Sequence, residues 1–329
     1  MILVSPTGVS VSHHGRVLVI ERQSRIRVDG APLRFASSPV IRSTDASLRL
    51  THFQTTPDSE NAKSDVDPSI VKITATIITF NEADNIRAAC ESVAWADEVI
   101  VVDSESTDGT GEIARDYGAR VIVRAWPGFA AQKQFAAQTA RHEWVFSLDA
   151  DERVSTELRA AIEALRASDV AQLADAYRIA RRSFYMGRWI RGGGWYPDYQ
   201  LRLYRKSRGR WAGAHVHESV TMDAGARVER LAGDILHYSV RDAAHHHRMI
   251  GERYAPLAAL KMFEAGKRTS ALRIAVAAPA AFTRSFILKA GFRDGLAGLS
   301  IARFAAHHAF LKHLLLWEKQ QAEDVSSKL

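Results

Sequence analysis

Four short apolar segments, each followed by a segment with helical spacing, dominate the sequence between residues 73 and 168. The apolar segments are ITATIITF, EVIVV, RVIVR and EWVFSL, which begin at Ile73, Glu98, Arg120 and Glu143. Their β-branched residues run continuously instead of alternating with polar ones, which is typical of strands buried on both faces. Strands that alternate with helices over this length predict an α/β fold, a parallel sheet with helices on both faces.

The segment after the fourth strand shows how the helices are recognised. Leu158, Ile162 and Leu165 recur at helical spacing and predict one buried helix face. Ser155 or Thr156 is placed to cap the first turn, because a side-chain hydroxyl can accept from a free backbone N–H there.

The segments on either side of this region differ from it, which predicts three parts. Residues 1–70 form an N-terminal extension and linker. Within it, the segment VLVIERQSRIRV predicts a hairpin or a pair of short strands. Residues 51–68 are polar and rich in Pro, Ser and Asp, which is the composition of a linker. Residues 71–240 form the central domain. Residues 241–329 form a helical C-terminal region with amphipathic character.

Composition narrows the classes of partner. Hydrophobic residues make up 47% and charged residues 25%, an ordinary globular balance. The formal charge of +7 favours anionic partners: nucleic acid, phosphorylated small molecules or acidic membrane surfaces. The chain has a single cysteine, Cys90, which excludes a disulfide within the chain and favours a reducing compartment. Cys90 lies on a predicted apolar helix face, where inert packing is expected. The first residues lack the pattern of a signal peptide.

Polar residues follow three of the predicted strands. Ligands of open parallel sheets bind at the carboxyl ends of the strands, where the strand order reverses. If the order is 3-2-1-4, one crevice is lined by the residues after the first, second and fourth strands: Thr79, Asn81, Glu82, Asp103, Ser104, Asp149 and Asp151. An acidic crevice in a basic protein suggests a divalent metal that bridges to an anionic ligand.

Asp149 and Asp151 are the strongest metal candidates. Carboxylates at positions i and i+2 of an extended segment point to the same side and can both face a hard cation such as Mg²⁺. The alternative is an acidic loop that caps the helix starting near Ser155. Asp103 likewise could accept hydrogen bonds from a nucleobase or ribose or cap a turn, although Asp108 is better placed as the cap. Glycine-rich dinucleotide and Walker A motifs are missing.

The ordered motifs resemble family 2 of the inverting glycosyltransferases, which has the GT-A fold. The matching pieces are ITATIITFNEADNI, EVIVVDSESTDGT, WPGFAAQKQFA, WVFSLDADE, GGWYPDYQLRLYR and VHE. More narrowly, the chain is similar to the lipopolysaccharide-core β-1,4-glucosyltransferase group. The resemblance covers about half of the chain strongly and the helical tail more weakly.

The resemblance implies a nucleotide-sugar donor, a UDP-sugar with glucose first, and Mg²⁺ or Mn²⁺ as cofactor. It places Asp103 near the nucleobase, with Thr79, Asn81 and Glu82 on the donor side. Asp149 and Asp151 would lie at the metal and the diphosphate. Where family members often carry a second acidic residue after Asp103, this chain has Ser104, which leaves the base contact open. Lys133 could reach the donor phosphate or be an ordinary solvated helix lysine.

Inversion needs a general base that deprotonates the attacking hydroxyl. Glu218, after the RLYRK strand, is the first candidate and Asp198 the second, and either could instead be an ordinary ion pair with an arginine. His237 could complete the metal site or be a core histidine. The run His245-His246-His247 is expected to be a solvated helical stretch, since successive helix residues point in different directions.

The acceptor side is predicted from arginines and aromatic residues in the less periodic region 176–237. Arginines bind phosphate or carboxylate, and aromatic faces suit sugar rings. The candidate acceptor contacts are Arg182, Trp189, Trp195 and Arg202. With the family assigned, the expected partner is a lipid-linked or lipopolysaccharide-core glycan and not nucleic acid.

The C-terminal helices are expected to lie on the cytoplasmic face of the inner membrane, as a peripheral protein, or to pack on the central domain. The uncharged run 274–283 is far shorter than the roughly 20 apolar residues that span a bilayer. Three rival functions stay open. They are a haloacid-dehalogenase-like phosphatase with Asp149 as nucleophile, a non-catalytic membrane-associated protein of the same fold and, least favoured, a sugar nucleotidyltransferase.

Overall fold

The computed structural model describes residues 71–213 and 218–326, together with five strands near the N-terminus. The chain divides into two compact units, Met1–Lys63 and Ser64–Leu329. The predicted polar linker at residues 51–68 lies outside the described residues, as do the first two residues of the VHE motif.

The first unit contains an antiparallel sheet in the order β1-β2-β3-β4-β5. The predicted strand pair is present, since Leu18 of the third strand pairs with Val28 of the fourth. The five strands are β1 (Ile2–Ser5), β2 (Gly8–His13), β3 (Arg16–Glu21), β4 (Ile26–Val28) and β5 (Ala31–Leu33).

The second unit is built on a mixed sheet of nine strands with a small separate hairpin. Its first half alternates strands and helices as the sequence predicts: β6 (Ile73–Thr79), α1 (Ala83–Ser92), β7 (Glu98–Asp103), α2 (Thr110–Asp116), β8 (Arg120–Val123), α3 (Phe129–Thr139), β9 (Trp144–Asp149), β10 (Glu152–Val154) and α4 (Thr156–Arg166). Ser155 caps α4, because its side chain accepts a hydrogen bond from Leu158 N.

The less periodic region also forms strands, of which the sequence predicted only the RLYRK strand, now β13 (Asp198–Arg205). They are β11 (Ala176–Tyr185), β12 (Arg188–Trp189), β13 (Asp198–Arg205), β14 (Gly209–Ala212), β15 (Ser219–Met222) and β16 (Val228–His237). The main sheet runs in the order β10-β16-β11-β13-β9-β6-β7-β8, and β12 pairs with β11. The strands β9, β6, β7 and β8 are parallel neighbours. This is the predicted 3-2-1-4 order, so the fold-class prediction is confirmed.

Helices cover both faces of the sheet. On one face, Ile73, Ile77 and Phe146 pack against α1 and α4 through residues such as Ile86 and Ile162. On the other face, the strands pack against α3 and against Trp211 of the β14–β15 hairpin. Helix α4 also approaches β16 closely at Gly233, where a Cβ atom would lie 2.2 Å from Leu158 N. The core therefore fixes the strand ends that carry the polar residues.

The C-terminal region is helical, as predicted. Its elements are α5 (Ala243–Arg248), a π-helical segment (Met249–Tyr254), α6 (Ala255–Glu264), α7 (Ala271–Thr283), a second π-helical segment (Arg284–Leu288), a 3₁₀ turn (Gly291–Asp294) and α8 (Gly295–Ser326). Tyr185 and Ile190 pack against Ala297 and Ile301 of α8, which joins this region to the sheet.

Candidate active site

Three of the predicted strand ends meet at one edge of the sheet. Thr79 pairs in register with Asp103 on the neighbouring strand β7, and Ile78 pairs with Asp149 on β9. All three strands run in the same direction, so their carboxyl ends lie side by side. The strand ends predicted to line one crevice are therefore neighbours at one edge of the sheet, and their residues fall into two groups on either side of Thr79.

The first group surrounds Asp103, which is buried. Its Oδ1 accepts hydrogen bonds from the Ser106 hydroxyl and, at 3.3 Å, from the Ser106 amide. Ser106 Oγ in turn accepts from Asn81 N at 2.8 Å, and Asn81 Oδ1 accepts from Thr107 N at 2.9 Å. Asn81 has a positive φ of 51°. The loops after β6 and β7 are thus locked together around the Asp103 carboxylate.

Asp108, and not Asp103, serves the first turn of the helix that follows. Its Oδ1 accepts from Thr110 N at 3.1 Å, and its Oδ2 accepts from Ala83 N at 3.0 Å. These bonds lower the pKa of the Asp108 carboxyl, with the Thr110 hydroxyl as the largest cause. Asp108 therefore bonds the first turn of this helix, as the sequence indicated, while Asp103 bonds the Ser106 amide of the turn before it, so the turn-capping alternative for Asp103 stays open.

Two other polar groups line this side of the crevice. Ser104 Oγ accepts a hydrogen bond from Gln132 Nε2 on α3 at 3.1 Å. The hydroxyl oxygen of Thr79 is buried and has no hydrogen-bond partner within the described part of the chain. A buried polar atom of this kind is uncommon in folded proteins and marks a position where a ligand can supply the missing partner.

The second group centres on Lys133, whose side chain is only 2% exposed. Its Nζ lies 2.9 Å from Asp149 Oδ1 and 3.2 Å from Oδ2, and 3.0 Å from Glu218 Oε1. The geometry suits a hydrogen bond to Oδ2 only, so Oδ1 has none within the described residues. Lys133 also lies 4.9 Å from the centre of the Trp211 ring. The solvated-lysine alternative is therefore wrong for Lys133.

The guanidinium group of Arg202 forms an ion pair with the Asp149 carboxylate. Its Nη2 lies 3.1 Å from Asp149 Oδ2 and 2.8 Å from Glu152 Oε1, and the residue is 3% exposed. Burial raises the pKa of the Asp149 carboxyl, but Lys133 and then Arg202 outweigh burial and hold that pKa well below its usual range. The predicted acceptor contact does not fit Arg202, because its guanidinium is enclosed by these carboxylates.

Glu152 completes this buried network and was not among the predicted site residues. It is fully buried, and its Oε2 accepts a hydrogen bond from Asp149 N at 3.0 Å. Its Oε1 also lies 3.3 Å from Arg181 Nη1. The sequence signal was the third acidic residue of LDADE, which a surface loop would equally explain. The network fixes both the backbone and the side chain of Asp149.

Asp151 and His237 meet at the outer end of this edge. His237 Nε2 lies 3.4 Å from Asp151 Oδ2, and His237 Nδ1 lies 3.4 Å from Ser183 Oγ. The contact arises because Glu152 pairs with His237 across β10 and β16. Burial raises the pKa of the neighbouring Glu82 carboxyl; the Asn85 side chain lowers it, and Asp151 raises it further. Within the described residues no three His, Cys, Asp or Glu side chains converge as a metal site.

The two candidate bases have different surroundings. Asp198 is held by Arg181, whose Nη2 and Nε lie 2.7 Å and 3.0 Å from Asp198 Oδ2. Asp198 Oδ1 accepts from Gln200 Nε2 at 2.7 Å. Glu218 instead lies beside Asp149 in the crevice, with one oxygen on Lys133. Both Asp198 oxygens are therefore occupied by neighbouring side chains.

The candidate acceptor residues do not form a single cluster. Arg182 lies 3.6 Å from Asp234, with its guanidinium 5.5 Å from the Tyr196 ring. The Trp189 ring lies against Phe184 and Tyr238, with centroid distances of 5.1 and 5.4 Å.

Trp195 packs elsewhere, against Tyr185 and His246. The expectation of a solvated histidine run is wrong for His246, which is buried and bonded to the Tyr185 hydroxyl at 3.2 Å.

The strand order and the acidic residues at its carboxyl edge define a GT-A-type fold. The pattern described as Glycosyl transferase family 2 matches residues 74–231. The chain is 31% identical to the lipopolysaccharide core biosynthesis glycosyltransferase LpsC of Rhizobium meliloti, over 75% of this chain and 92% of that protein. It is 34% identical to an uncharacterized glycosyltransferase of Rickettsia bellii, over 73% of this chain and 84% of that protein. The chain belongs to glycosyltransferase family 2.

Solved structures resemble a smaller part of the chain. A mannosyl-3-phosphoglycerate synthase from Rubrobacter xylanophilus is 21% identical and aligns over 34% of this chain and 41% of its own, with a TM-score of 0.30. A glucosyl-3-phosphoglycerate synthase from Mycobacterium tuberculosis, solved with Mn²⁺, UDP and glucosyl-3-phosphoglycerate, is 22% identical and aligns over 36% of this chain and 45% of its own, with a TM-score of 0.29.

Family membership identifies the protein as a transferase and leaves the phosphatase hypothesis without support. The position of the motif in the fold also argues against the phosphatase. A haloacid-dehalogenase-like nucleophile would end the first strand, whereas Asp149 ends the fourth strand of the domain in chain order.

Proposed function

We propose that the protein is an inverting, metal-dependent hexosyltransferase. It transfers a sugar, with glucose as the first candidate, from a UDP-sugar to a lipopolysaccharide-core or other surface-glycan acceptor. Residues 71–240 are its catalytic domain. The observation that carries the proposal is the junction at Lys133, whose ammonium lies within hydrogen-bond distance of both Asp149, the diphosphate-side carboxylate, and Glu218, the candidate base.

The donor lies along the crevice with its base near Asp103 and its diphosphate near Asp149. Thr79, Asn81 and Glu82 line its near side, and Ser104 lies beside Asp103. The unpartnered Thr79 hydroxyl is available to the nucleoside. Lys133 faces the diphosphate, where an ammonium stabilises the charge that develops on the leaving UDP. Arg202, bonded to Asp149 and Glu152, holds the carboxylate in place instead of touching the acceptor.

Mg²⁺ or Mn²⁺ fits the outer end of the edge. Asp151 Oδ2 and His237 Nε2 converge to 3.4 Å, and an oxygen with a nitrogen donor suits either ion. Asp149 Oδ1, which has no hydrogen bond, is a third candidate oxygen. Such ions are commonly held by one or two carboxylates plus substrate phosphates and water. When bound, the ion would neutralise the diphosphate and stabilise the departing UDP.

Glu218 is the general base. As the acceptor hydroxyl oxygen bonds to the anomeric carbon, its proton passes to the Glu218 carboxylate. The bond from that carbon to the diphosphate oxygen breaks, and UDP leaves on the opposite face. A positioned base contributes about 10²- to 10⁴-fold to such a step. Asp198 is the weaker candidate because Arg181 and Gln200 already bind both of its oxygens.

The proposed acceptor contacts are Arg182, Trp189 and Trp195, of which Trp195 packs apart from the other two against Tyr185 and His246. We propose that it is a lipid-linked glycan and that the enzyme works as a peripheral protein on the cytoplasmic face of the inner membrane, without a nucleic-acid partner. By length and composition alone, the helix Ala271–Leu288 is long and apolar enough to cross a bilayer. It is longer than the uncharged run at residues 274–283 because it continues through the arginines on either side.

A single experiment tests the proposal against a non-catalytic protein of the same fold. The purified chain is incubated with UDP-glucose and other UDP-sugars, with Mn²⁺ or with EDTA, and free UDP is measured. The expected result is metal-dependent release of UDP that increases when acceptor glycolipid is added. Absence of metal-dependent UDP binding by calorimetry, together with no release, would support the non-catalytic alternative. Full transfer by both Asp151→Ala and Glu218→Ala would disprove the site assignment.

A further inference from the structure

The outer side of α7 and the turn into α8 exposes large apolar side chains. Leu288 is 76% exposed, Leu272 73% and Leu296 69%, although a water-facing helix normally carries polar residues there. No residue of α7 is buried. The same surface, called here the α7–α8 face, is completed by Val276, Ile287 and Phe292. Large apolar side chains exposed in this number on a short stretch of a folded protein mark an interaction site.

The charge around the α7–α8 face has one sign. Residues 265–317 contain eight lysines and arginines and a single acidic residue, Asp294. Asp294 is fully buried, so it contributes no acidic group to the surface. Arg284 is exposed four residues before Leu288, and Arg293 is exposed immediately after Phe292 in the chain. Exposed apolar side chains next to cations without acidic neighbours are complementary to a partner that has an apolar interior and an anionic surface.

The inner side of the same turn holds the loop that leads to Trp195. Asp294 accepts hydrogen bonds from Arg191 N at 3.0 Å and from Gly192 N at 2.7 Å. Gly193 N donates to the Lys289 carbonyl at 2.9 Å. The contact is close at Gly192, where a Cβ atom would lie 2.6 Å from the Ala290 carbonyl oxygen. The turn and the loop are therefore one rigid junction.

We propose that the α7–α8 face docks on an anionic lipid bilayer and so fixes the loop Ile190–Trp195 at the membrane surface. The description of this loop as the acceptor side rests on the proposed function; the docking itself does not. The apolar side chains enter the region between headgroups and acyl chains, while Arg284 and Arg293 bind lipid phosphates. A glycolipid embedded in that bilayer then meets the loop without leaving the membrane.

Two other occupants fit the surface less well. A second copy of the chain would bring the unopposed cations of one face against those of another, which repels. A membrane crossing would place Arg273 and Arg284 within the span, and these two cations lie inside the helix window Ala271–Leu288. Each cation at mid-bilayer is unfavourable, whereas a helix lying on the surface keeps both at the headgroups.

The test is co-sedimentation of the full chain with two kinds of vesicle. One is phosphatidylcholine alone, and the other contains about 30% phosphatidylglycerol, an anionic lipid that attracts a basic protein surface. Binding is expected only to the anionic vesicles and is expected to fall several-fold in about 0.5 M salt. Leu288→Asp with Phe292→Asp should reduce binding at least 10-fold. Arg284→Gln with Arg293→Gln should reduce it several-fold. The matched controls are Val170→Asp and Arg159→Gln, exposed residues on and after α4, which should bind as the wild type does.

The results separate this proposal from its rivals. Equal binding by the wild type and the Leu288/Phe292 variant, or no binding by the wild type, would overturn it. Resistance to carbonate extraction would indicate a membrane crossing. A dimer that the Leu288/Phe292 variant abolishes, without vesicle binding, would indicate a second copy. Hydrogen exchange at the Arg191 and Gly192 amides should slow when vesicles are added, and unchanged exchange would refute the coupling to the loop.

The same proteins also test the proposed function, through a separate measurement of UDP binding. UDP binding in the absence of vesicles should be the same in the wild type and in the Leu288/Phe292 variant, because the substituted side chains lie on the α7–α8 face. A wild type that binds vesicles but not UDP would refute the proposed function and leave the docking intact. A wild type that binds UDP but not vesicles would refute the docking and the peripheral location, and would leave the proposed transfer reaction intact.

Discussion

The ammonium group of Lys133 lies 3.0 Å from Glu218 Oε1, although the two residues are 85 positions apart in the chain. The same ammonium lies 2.9 Å from Asp149 Oδ1. One buried cation is therefore shared by the carboxylate assigned to the diphosphate side and the carboxylate assigned as base. Against the effect of burial, the ammonium lowers the pKa of the Asp149 carboxyl, and it offsets the repulsion between the two neighbouring carboxylates.

Lys133→Met tests this shared cation. Removing the ammonium leaves two carboxylates without their partner, and breaking a buried pair in this way costs about 3–5 kcal/mol. We expect the free energy of unfolding to fall by about 3 kcal/mol, because Arg202 still compensates Asp149 in part. UDP binding should weaken at least 10-fold. Denaturant unfolding and calorimetry measure the two effects. The exposed Lys72→Met is the control, and a variant with wild-type stability and UDP affinity would contradict the assignment.

Glu218→Gln and Asp198→Asn distinguish the two candidate bases. Loss of a positioned base lowers kcat by about 10²- to 10⁴-fold while donor binding is kept. We expect that pattern for Glu218→Gln. Asp198→Asn should instead destabilise the fold modestly, since Arg181 loses one of its two carboxylate partners and keeps Glu152. It should change kcat less than 10-fold, well below the effect of losing a base. Steady-state transfer kinetics and UDP titrations of both variants measure this. The reverse pattern would make Asp198 the base.

The fold could be predicted because its signal is local. Continuous β-branched runs such as ITATIITF are typical of strands covered on both faces, and the alternation with helices predicted a parallel sheet. The 3-2-1-4 strand order entered as a condition and not as a result. The carboxyl-end rule then brought Thr79, Asp103 and Asp149 to one edge. The structure confirms the strand order, while the chemical roles of these residues stay predictions.

Other parts of the site depend on long-range contacts that no local pattern encodes. Arg202 looked like a surface arginine because alternation along β13 does not tell which face is buried. Its burial follows from the pairing of β13 with β9, which places it beneath Asp149. Glu152 and His246 were missed for the same reason, since each is buried by elements far away in the sequence. A polar side chain becomes a core residue only when a distant partner compensates it.

Asp151→Asn and His237→Gln test the metal assignment. Both variants remove or weaken a ligand at the point where Asp151 Oδ2 and His237 Nε2 lie 3.4 Å apart. We expect Mn²⁺ to strengthen UDP binding by the wild type and to have at most a small effect on either variant. UDP affinity in EDTA should be similar in all three proteins. An undiminished Mn²⁺ effect in both variants would place the metal elsewhere.

His246 predicts a dependence of stability on pH. Burial lowers the pKa of its imidazole to about 4, with a smaller contribution from His245. Above about pH 6.5 the group is neutral in both the folded and the unfolded chain. Between about pH 6.5 and pH 4 only the unfolded chain binds the proton, so stability falls as the pH falls, by up to about 1.4 kcal/mol per unit.

The measurement is the free energy of unfolding between pH 4.5 and 7 for the wild type, His246→Gln and the exposed control His247→Gln. We expect the slope of the His246 variant to be shallower by up to one proton, while the control keeps the wild-type slope. Equal slopes in all three proteins would mean that His246 does not contribute.

Cys90 should be unreactive in the native protein. It lies on the buried face of α1, 2% exposed, and burial raises the pKa of its thiol to about 11, with Glu91 adding to the shift. At pH 8 the thiolate, which is the reactive form, would then be about 0.1% of the total, compared with about a quarter for a thiol of ordinary pKa. Because the chain has one cysteine, labelling by a disulfide reagent reports this residue alone. We expect almost no labelling at pH 8 in buffer and one equivalent in denaturant. Rapid labelling of the folded protein would show that α1 opens readily, and with it the loop that carries Asn81 and Glu82 into the crevice.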